Sequence, residues 1–196
     1  EILSSRYGFK TKVLLNATRY DTLQALNDLR KMLTEADNLL IYYAGHGHWE
    51  EQIMRGYWVP IDGDVDSNAN WIPTFAITDI LGAMSAKHVL VVADSCYSGA
   101  LTRSAFARLE AGMTEQARLH ALEVMAEKRS RTVLSSGNIQ PVLDAGGGNH
   151  SVFAKAFLDT LGMNRDIIEG QRLWFSIRDL VAYAAEAERV EQDPQY

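Results

Sequence analysis

The only cysteine of the 196-residue sequence, Cys96, directly follows the apolar run Val89-Leu90-Val91-Val92-Ala93. It sits in a turn-forming stretch, Asp94-Ser95-Cys96-Tyr97-Ser98-Gly99. A thiol at the mouth of a strand, with small neighbours that let a substrate approach, can act as a nucleophile when another group generates or holds its thiolate. His46 is the candidate for that group. It has glycine on each side, in Ala44-Gly45-His46-Gly47-His48, and a second apolar run, Leu39-Leu40-Ile41-Tyr42-Tyr43, stands before it. The small neighbours admit a second chain, and their amides can donate to a developing oxyanion. Taken singly, a lone cysteine is more often a small buried hydrophobe, and a lone histidine is usually structural. The conjunction of two apolar runs ending in small-residue turns, one with histidine and the other with the sole cysteine, points to nucleophilic catalysis.

Such a pair needs a scaffold that brings two strand ends together. The pattern predicts a helix stop at Arg6-Tyr7-Gly8-Phe9 and a short strand at Val13-Leu14-Leu15. A helix capped by Asp21 follows, with Leu23, Leu26, Leu29 (or Met32) and Leu33 along one stripe. Strands are expected at Leu39–Tyr43, at Gly56–Pro60 as a short strand or hairpin arm, at His88–Ala93 and at Thr132–Ser135. Between them lie an acidic loop from Asp62 to Asn70, a short helix from Ile77 to Met84 and a helix-favouring stretch from Ala105 to Lys128. After the Gly/Asn-rich loop at Gly146–Asn149, two helices close the chain. One runs from about Ser151 to Leu161, and the other carries Leu173, Ile177, Leu180, Val181 and Ala184 on one face. Strands alternating with helices make an α/β fold: a mainly parallel sheet with helices on both faces. In such a sheet the active residues gather at the carboxyl ends of the strands, where both turns stand.

Composition narrows the function classes. Nineteen Lys and Arg against 25 Asp and Glu give a net charge of −6, which argues against nucleic acid as a partner. The 47% hydrophobic and 22% charged content is that of one globular domain. No apolar run approaches the roughly 18 residues of a membrane span, so no membrane partner is expected. The opening Glu1–Arg6 lacks an apolar secretory core, and the expectation is a cytoplasmic protein. One cysteine makes no internal disulfide. A metallohydrolase built on His46, His48 and Asp62 or Asp64 is an alternative, but it leaves Cys96 unexplained. A Cys-x5-Arg phosphatase would need arginine where Thr102 stands, and neither Gly-x-Ser-x-Gly nor a phosphate loop is present.

The segments Tyr42-Tyr43-Ala44-Gly45-His46-Gly47 and Asp94-Ser95-Cys96-Tyr97-Ser98-Gly99 resemble the two catalytic motifs of caspase-like cysteine peptidases, peptidase family C14. They are closer to the metacaspase and bacterial orthocaspase branch. His46 precedes Cys96 by 50 residues, the spacing of caspases. The likeness extends to Leu134-Ser135-Ser136-Gly137 and His150-Ser151-Val152-Phe153. It implies a caspase-like three-layer sandwich that cuts protein or peptide substrates without a required cofactor. Cys96 would be the nucleophile, His46 the base, the amides of Gly47 and Cys96 the oxyanion hole, and Ser135 a substrate-binding residue. True caspases read Gln-Ala-Cys where this chain has Asp94-Ser95-Cys96. The metacaspase-like aspartate implies a carboxylate at the base of the specificity pocket, and hence cleavage after Arg or Lys. The bland reading of Asp94 is a turn cap.

The same resemblance divides the chain into a large-subunit-like part (1–102), an intersubunit-like segment (103–131) and a small-subunit-like part (132–196). Lys128, Arg129 and Arg131 form a candidate self-cleavage site, against the alternative of an amphipathic helix with a solvated face. Calcium activation has weak candidates in Asp62 and Asp64. With Ser67 and Pro73 where an EF-hand needs Gly and Glu, a solvated loop is the competing reading. The family's first strand is expected before Glu1 and its last after Tyr196, so the domain looks trimmed at both ends and flanked by further domains of a larger protein. A catalytically silent, partner-binding module is the non-enzymatic alternative; silent relatives usually lose the Cys or the His, and both are present.

Overall fold

The computed structural model describes residues 1–95, 114–137, 150–187 and 192–196. In chain order the elements are α1 (Ile2–Tyr7), α2 (Arg19–Met32), β1 (Asn38–Ala44), β2 (His46–Glu50), β3 (Arg55–Val59), β4 (Ile72–Pro73), α3 (Thr74–Gly82), β5 (His88–Asp94), α4 (Glu115–Glu127), β6 (Ser130–Ser135), α5 (Val152–Met163) and α6 (Gly170–Ala187).

The apolar runs become a parallel sheet in the order β1-β5-β6. Its register pairs Ala44 with Asp94 and Ala93 with Ser135, so the three strands finish at one edge within a residue of each other. Alternation along the strands serves two cores. Leu39, Ile41 and Tyr43 of β1, Val89, Val91 and Ala93 of β5 and Val133 of β6 pack with Leu26 of α2 and Ile77 and Leu81 of α3. The intervening residues Leu40, Leu90, Val92 and Leu134 pack with Phe153 and Phe157 of α5, Leu173, Ile177 and Val181 of α6, and Ile2 and Leu3 of α1. Helices therefore cover both faces of a mixed α/β sandwich, as the alternation of elements implies.

A second sheet, β2-β3-β4, is antiparallel; its β3 matches the strand expected at Gly56–Pro60, while β2 and β4 carry no pattern that separates them from loop. Only Gly45 stands between β1 and β2, so the chain leaves the parallel sheet and enters the small one at His46. Two expectations are corrected. Val13-Leu14-Leu15 is not a strand: its residues are 73%, 44% and 83% exposed, and among the described residues nothing pairs with it. A β-favouring run without a ladder partner leaves its backbone to water. Helix α2 is capped by Thr18, not Asp21. Thr18 accepts the Asp21 amide and Asp21 returns a bond to the Thr18 amide, a capping box with Asp21 in its third helical position. The helix expected from Ala105 is described from Glu115, while residues 105–113 and the Gly146–Gly148 loop lie outside the described residues.

Gly8 ends α1 in the left-handed conformation, φ 72°, as the Arg6–Phe9 pattern predicts. Among the described residues no helix is long and apolar enough to cross a membrane.

Candidate active site

Asp94 ends β5 at the carboxyl edge of the parallel sheet, and His46 begins β2 just past the end of β1. Cys96 itself lies outside the described residues, which end at Ser95 on this side. His46 lies two positions beyond Ala44, Cys96 two beyond Asp94 in sequence, and Ala44 and Asp94 are paired across β1 and β5.

His46 is exposed at the start of β2. Its main chain is held from beneath by the Tyr43 hydroxyl, which donates to the His46 carbonyl at 2.7 Å. Tyr43 is in turn stacked on Trp58, with ring centres 4.0 Å apart and planes 4° from parallel. Burial pushes the Tyr43 phenol well above its usual pKa, so it remains a donor. Gly45 fits this arrangement for a spatial reason: a Cβ there would lie 2.8 Å from the Tyr43 hydroxyl oxygen. Gly47 is paired with Trp58 in the antiparallel sheet. Next along, His48 packs against Trp71 at 4.5 Å between ring centres.

Asp94 ends β5 on the face covered by α5. Its Oδ2 accepts the Tyr42 hydroxyl at 2.9 Å and the Ser151 hydroxyl at 2.6 Å. Ser151 also caps α5, its Oγ accepting the Ala154 amide at 2.9 Å. The carboxylate thus lies at a helix N-terminus, where the backbone dipole favours negative charge. Burial first, and then the charge and hydrogen bond of Asp94, push the Tyr42 phenol far above its usual pKa. Neither Tyr42 nor Ser151 stood out as functional in the sequence. Ser151 carried a usable signal, a serine just before the apolar Val152-Phe153. Tyr42, by contrast, reads like any core aromatic of a buried strand.

Ser135 is fully buried at the end of β6. Its amide and carbonyl are exchanged with Gln195 at 2.8 and 3.1 Å, and its hydroxyl donates to the Gly137 carbonyl at 3.0 Å. The neighbouring Ser136, also fully buried, donates its hydroxyl to the Ser95 carbonyl at 3.2 Å.

The three basic candidates separate. Lys128 and Arg129 are exposed in the two-residue link between α4 and β6. Arg131 lies within β6, and its guanidinium donates to the carbonyls of Leu81, Met84, Ala86, Lys87 and Ser130. Asp62 and Asp64 stand in the loop before β4. Asp62 accepts the Arg19 amide at 2.8 Å and Asp64 the Asp66 amide at 3.0 Å. Among the described residues no group of three or more His, Cys, Asp or Glu is arranged to hold a metal ion. A cleft of about 1120 Å³ lies elsewhere, between α4, α5 and α6, and includes none of these residues.

The family model described as the caspase domain matches residues 1–196, the whole chain. No curated protein matches the sequence.

Proposed function

The chain belongs to the caspase-domain family, and from that premise we propose that it is a cysteine endopeptidase of the metacaspase and orthocaspase type, cleaving after Arg or Lys. Cys96 is the nucleophile and His46 the base. In the proposed reaction the His46 imidazole takes the proton of the Cys96 thiol, and the sulfur attacks the scissile carbonyl carbon. The amides of Gly47 and Cys96 bind the oxyanion. The tetrahedral species collapses to a thioester as the C–N bond breaks, and the imidazolium gives its proton to the leaving amine. Water, deprotonated by His46, then attacks the thioester, and the acid product leaves as the thiolate takes back a proton.

The observation that carries this reading is the pairing of Ala44 with Asp94 on adjacent parallel strands. It gives His46 and Cys96 the same two-residue offset past the sheet edge, which suits a dyad across one crevice. Asp94 is the proposed specificity group, its carboxylate oriented by Tyr42 and Ser151. A substrate guanidinium or ammonium meets charge-assisted hydrogen bonds there, and an acidic side chain meets repulsion. Ser135, the other residue the resemblance assigns to substrate binding, has its amide, carbonyl and hydroxyl bonded to the protein's own chain, so a substrate would have to meet it through a neighbour.

The same preference turned on the chain itself favours scission after exposed Lys128 over Arg129, whose guanidinium donates to the Met84 carbonyl, and over Arg131, whose side chain is bound to five carbonyls. The proposed reaction requires no cofactor, and the weak calcium candidates Asp62 and Asp64 each accept a backbone amide with one carboxylate oxygen.

A panel of fluorogenic peptides differing only in the residue before the scissile bond tests the reading, with Cys96→Ala as control. Hydrolysis after Arg and Lys, lost in Cys96→Ala, is the expected result. Cleavage that survives the substitution, or a preference for Asp, overturns it. An irreversible peptidyl-arginine electrophile should add to Cys96 by mass, and failure to do so argues for the silent module.

A further inference from the structure

Three buried polar residues from separate parts of the chain are linked at Ser95, the residue before Cys96 in sequence. Ser95 is 3% exposed, Ser136 is 0% and Gln192 is 6%. Ser136 is bonded on every side. Its amide donates to the Ala93 carbonyl at 2.9 Å, its hydroxyl to the Ser95 carbonyl at 3.2 Å, and its own carbonyl accepts the Gln192 side-chain amide at 2.8 Å. The first bond continues the β5–β6 ladder one step past its last registered pair, Ala93 and Ser135. The second carries the attachment two residues further along, to the residue bonded to Cys96. Ser95's own hydroxyl is buried with no partner among the described residues, so its carbonyl is where this residue is tied. The tail that supplies Gln192 is fixed as well: Gln195 exchanges two main-chain hydrogen bonds with Ser135, and the Pro194 carbonyl accepts the Trp174 indole N–H at 2.8 Å.

We propose that Ser136, braced by Gln192, is a positioning residue for the nucleophile: by holding the Ser95 carbonyl it sets where the Cys96 thiol stands relative to His46. The inference rests on the peptidase reading for its catalytic meaning. Its physical content, control of the thiol's environment, is measurable without peptide hydrolysis. A buried hydroxyl donating to a carbonyl defines one conformation of the main chain there, and small displacements of a reacting group cost large factors in rate. Serine and alanine differ by little volume, so loss of the hydroxyl removes the tether while nearly preserving the packing.

The test uses the full chain, whose single cysteine makes every thiol adduct of iodoacetamide an adduct of Cys96. Ser136→Ala should lower kcat on the order of tenfold to a hundredfold with KM nearly unchanged. It should also slow alkylation at neutral pH and shift the pH profile of alkylation, because a thiol drawn away from the imidazole loses the partner that favours its thiolate. Gln192→Met should act in the same direction and more weakly. The double variant should fall no lower than Ser136→Ala alone, since both act through one tether. Unchanged kcat and alkylation profile in Ser136→Ala overturn the proposal, as do losses that merely follow the folded fraction or add in full in the double variant. Should the wild-type chain hydrolyse no peptide while Ser136→Ala still alters alkylation, the positioning role stands and the peptidase reading falls.

Discussion

Tyr42 and Asp94 are two positions out of register on adjacent parallel strands, yet the Tyr42 hydroxyl donates to the Asp94 carboxylate at 2.9 Å. The tyrosine reaches along the sheet because both side chains lie on the face covered by α5, where its ring meets Phe157 at 5.6 Å between centres. Tyr42→Phe keeps the ring and removes the donor, and should cost about 1–2 kcal/mol at neutral pH. The sign of the alkaline effect is fixed by the raised pKa of the phenol in the fold. Its contribution is complete below the unfolded tyrosine value of about 10 and is lost as pH climbs past it. Urea titrations from about pH 8 to 11 should therefore show a shallower alkaline decline in Tyr42→Phe than in the wild type. The variant should also raise KM for arginyl substrates severalfold.

Gly45→Ala should damage the base without touching it. The new methyl would lie 2.8 Å from the Tyr43 hydroxyl, and Tyr43 is held by its stack on Trp58 and its bond to the His46 carbonyl. Relief must come from movement of the His46 main chain. A stability loss of about 1–3 kcal/mol is expected, with a fall in kcat larger than the folded fraction explains. Thermal unfolding and steady-state kinetics on the same preparation check both.

Arg131 should prove structural. It gathers carbonyls from Leu81, Met84, Ala86 and Lys87, tying the α3–β5 connection to β6. Arg131→Met leaves those acceptors without their cationic donor and should cost about 2–3 kcal/mol in urea unfolding. Arg131→Lys should recover little of it, since one ammonium cannot reproduce a planar fork of donors.

At the start of α2, Thr18→Ala should cost about 1 kcal/mol at neutral pH. Hydrogen bonds from the Thr18 hydroxyl and amide hold the Asp21 carboxyl below its ordinary pKa. A depressed folded pKa gives stability that is present above the unfolded value of about 4 and is lost as pH falls through the folded one. The deficit of the variant should accordingly shrink in acid, and chemical denaturation at neutral and acidic pH measures it.

The strands of the parallel sheet were the most legible part of the sequence. The runs at Leu39–Tyr43 and His88–Ala93 are apolar on both faces because helices cover both, and no other environment tolerates such runs so readily. In the small antiparallel sheet β3 was legible at Gly56–Pro60, but β2 was hidden: His46-Gly47-His48 has no alternation, and β2 is formed by pairing with β3 and not by propensity. Val13-Leu14-Leu15 misled by composition, since a strand also needs a neighbour. At the site, residue type and spacing located His46 and Asp94 on one sheet edge. The partners Tyr42, Ser136 and Gln192 stayed unread because their roles come from contacts 41 to 56 residues away in the chain.

The link between α4 and β6 consists of Lys128 and Arg129 alone, while beyond it β6 is zipped to β5 through six registered residue pairs and pinned by Arg131. A nick at that seam would break covalent continuity without releasing either piece. The product would be a two-chain particle that separates on a denaturing gel and migrates as one body on a native column.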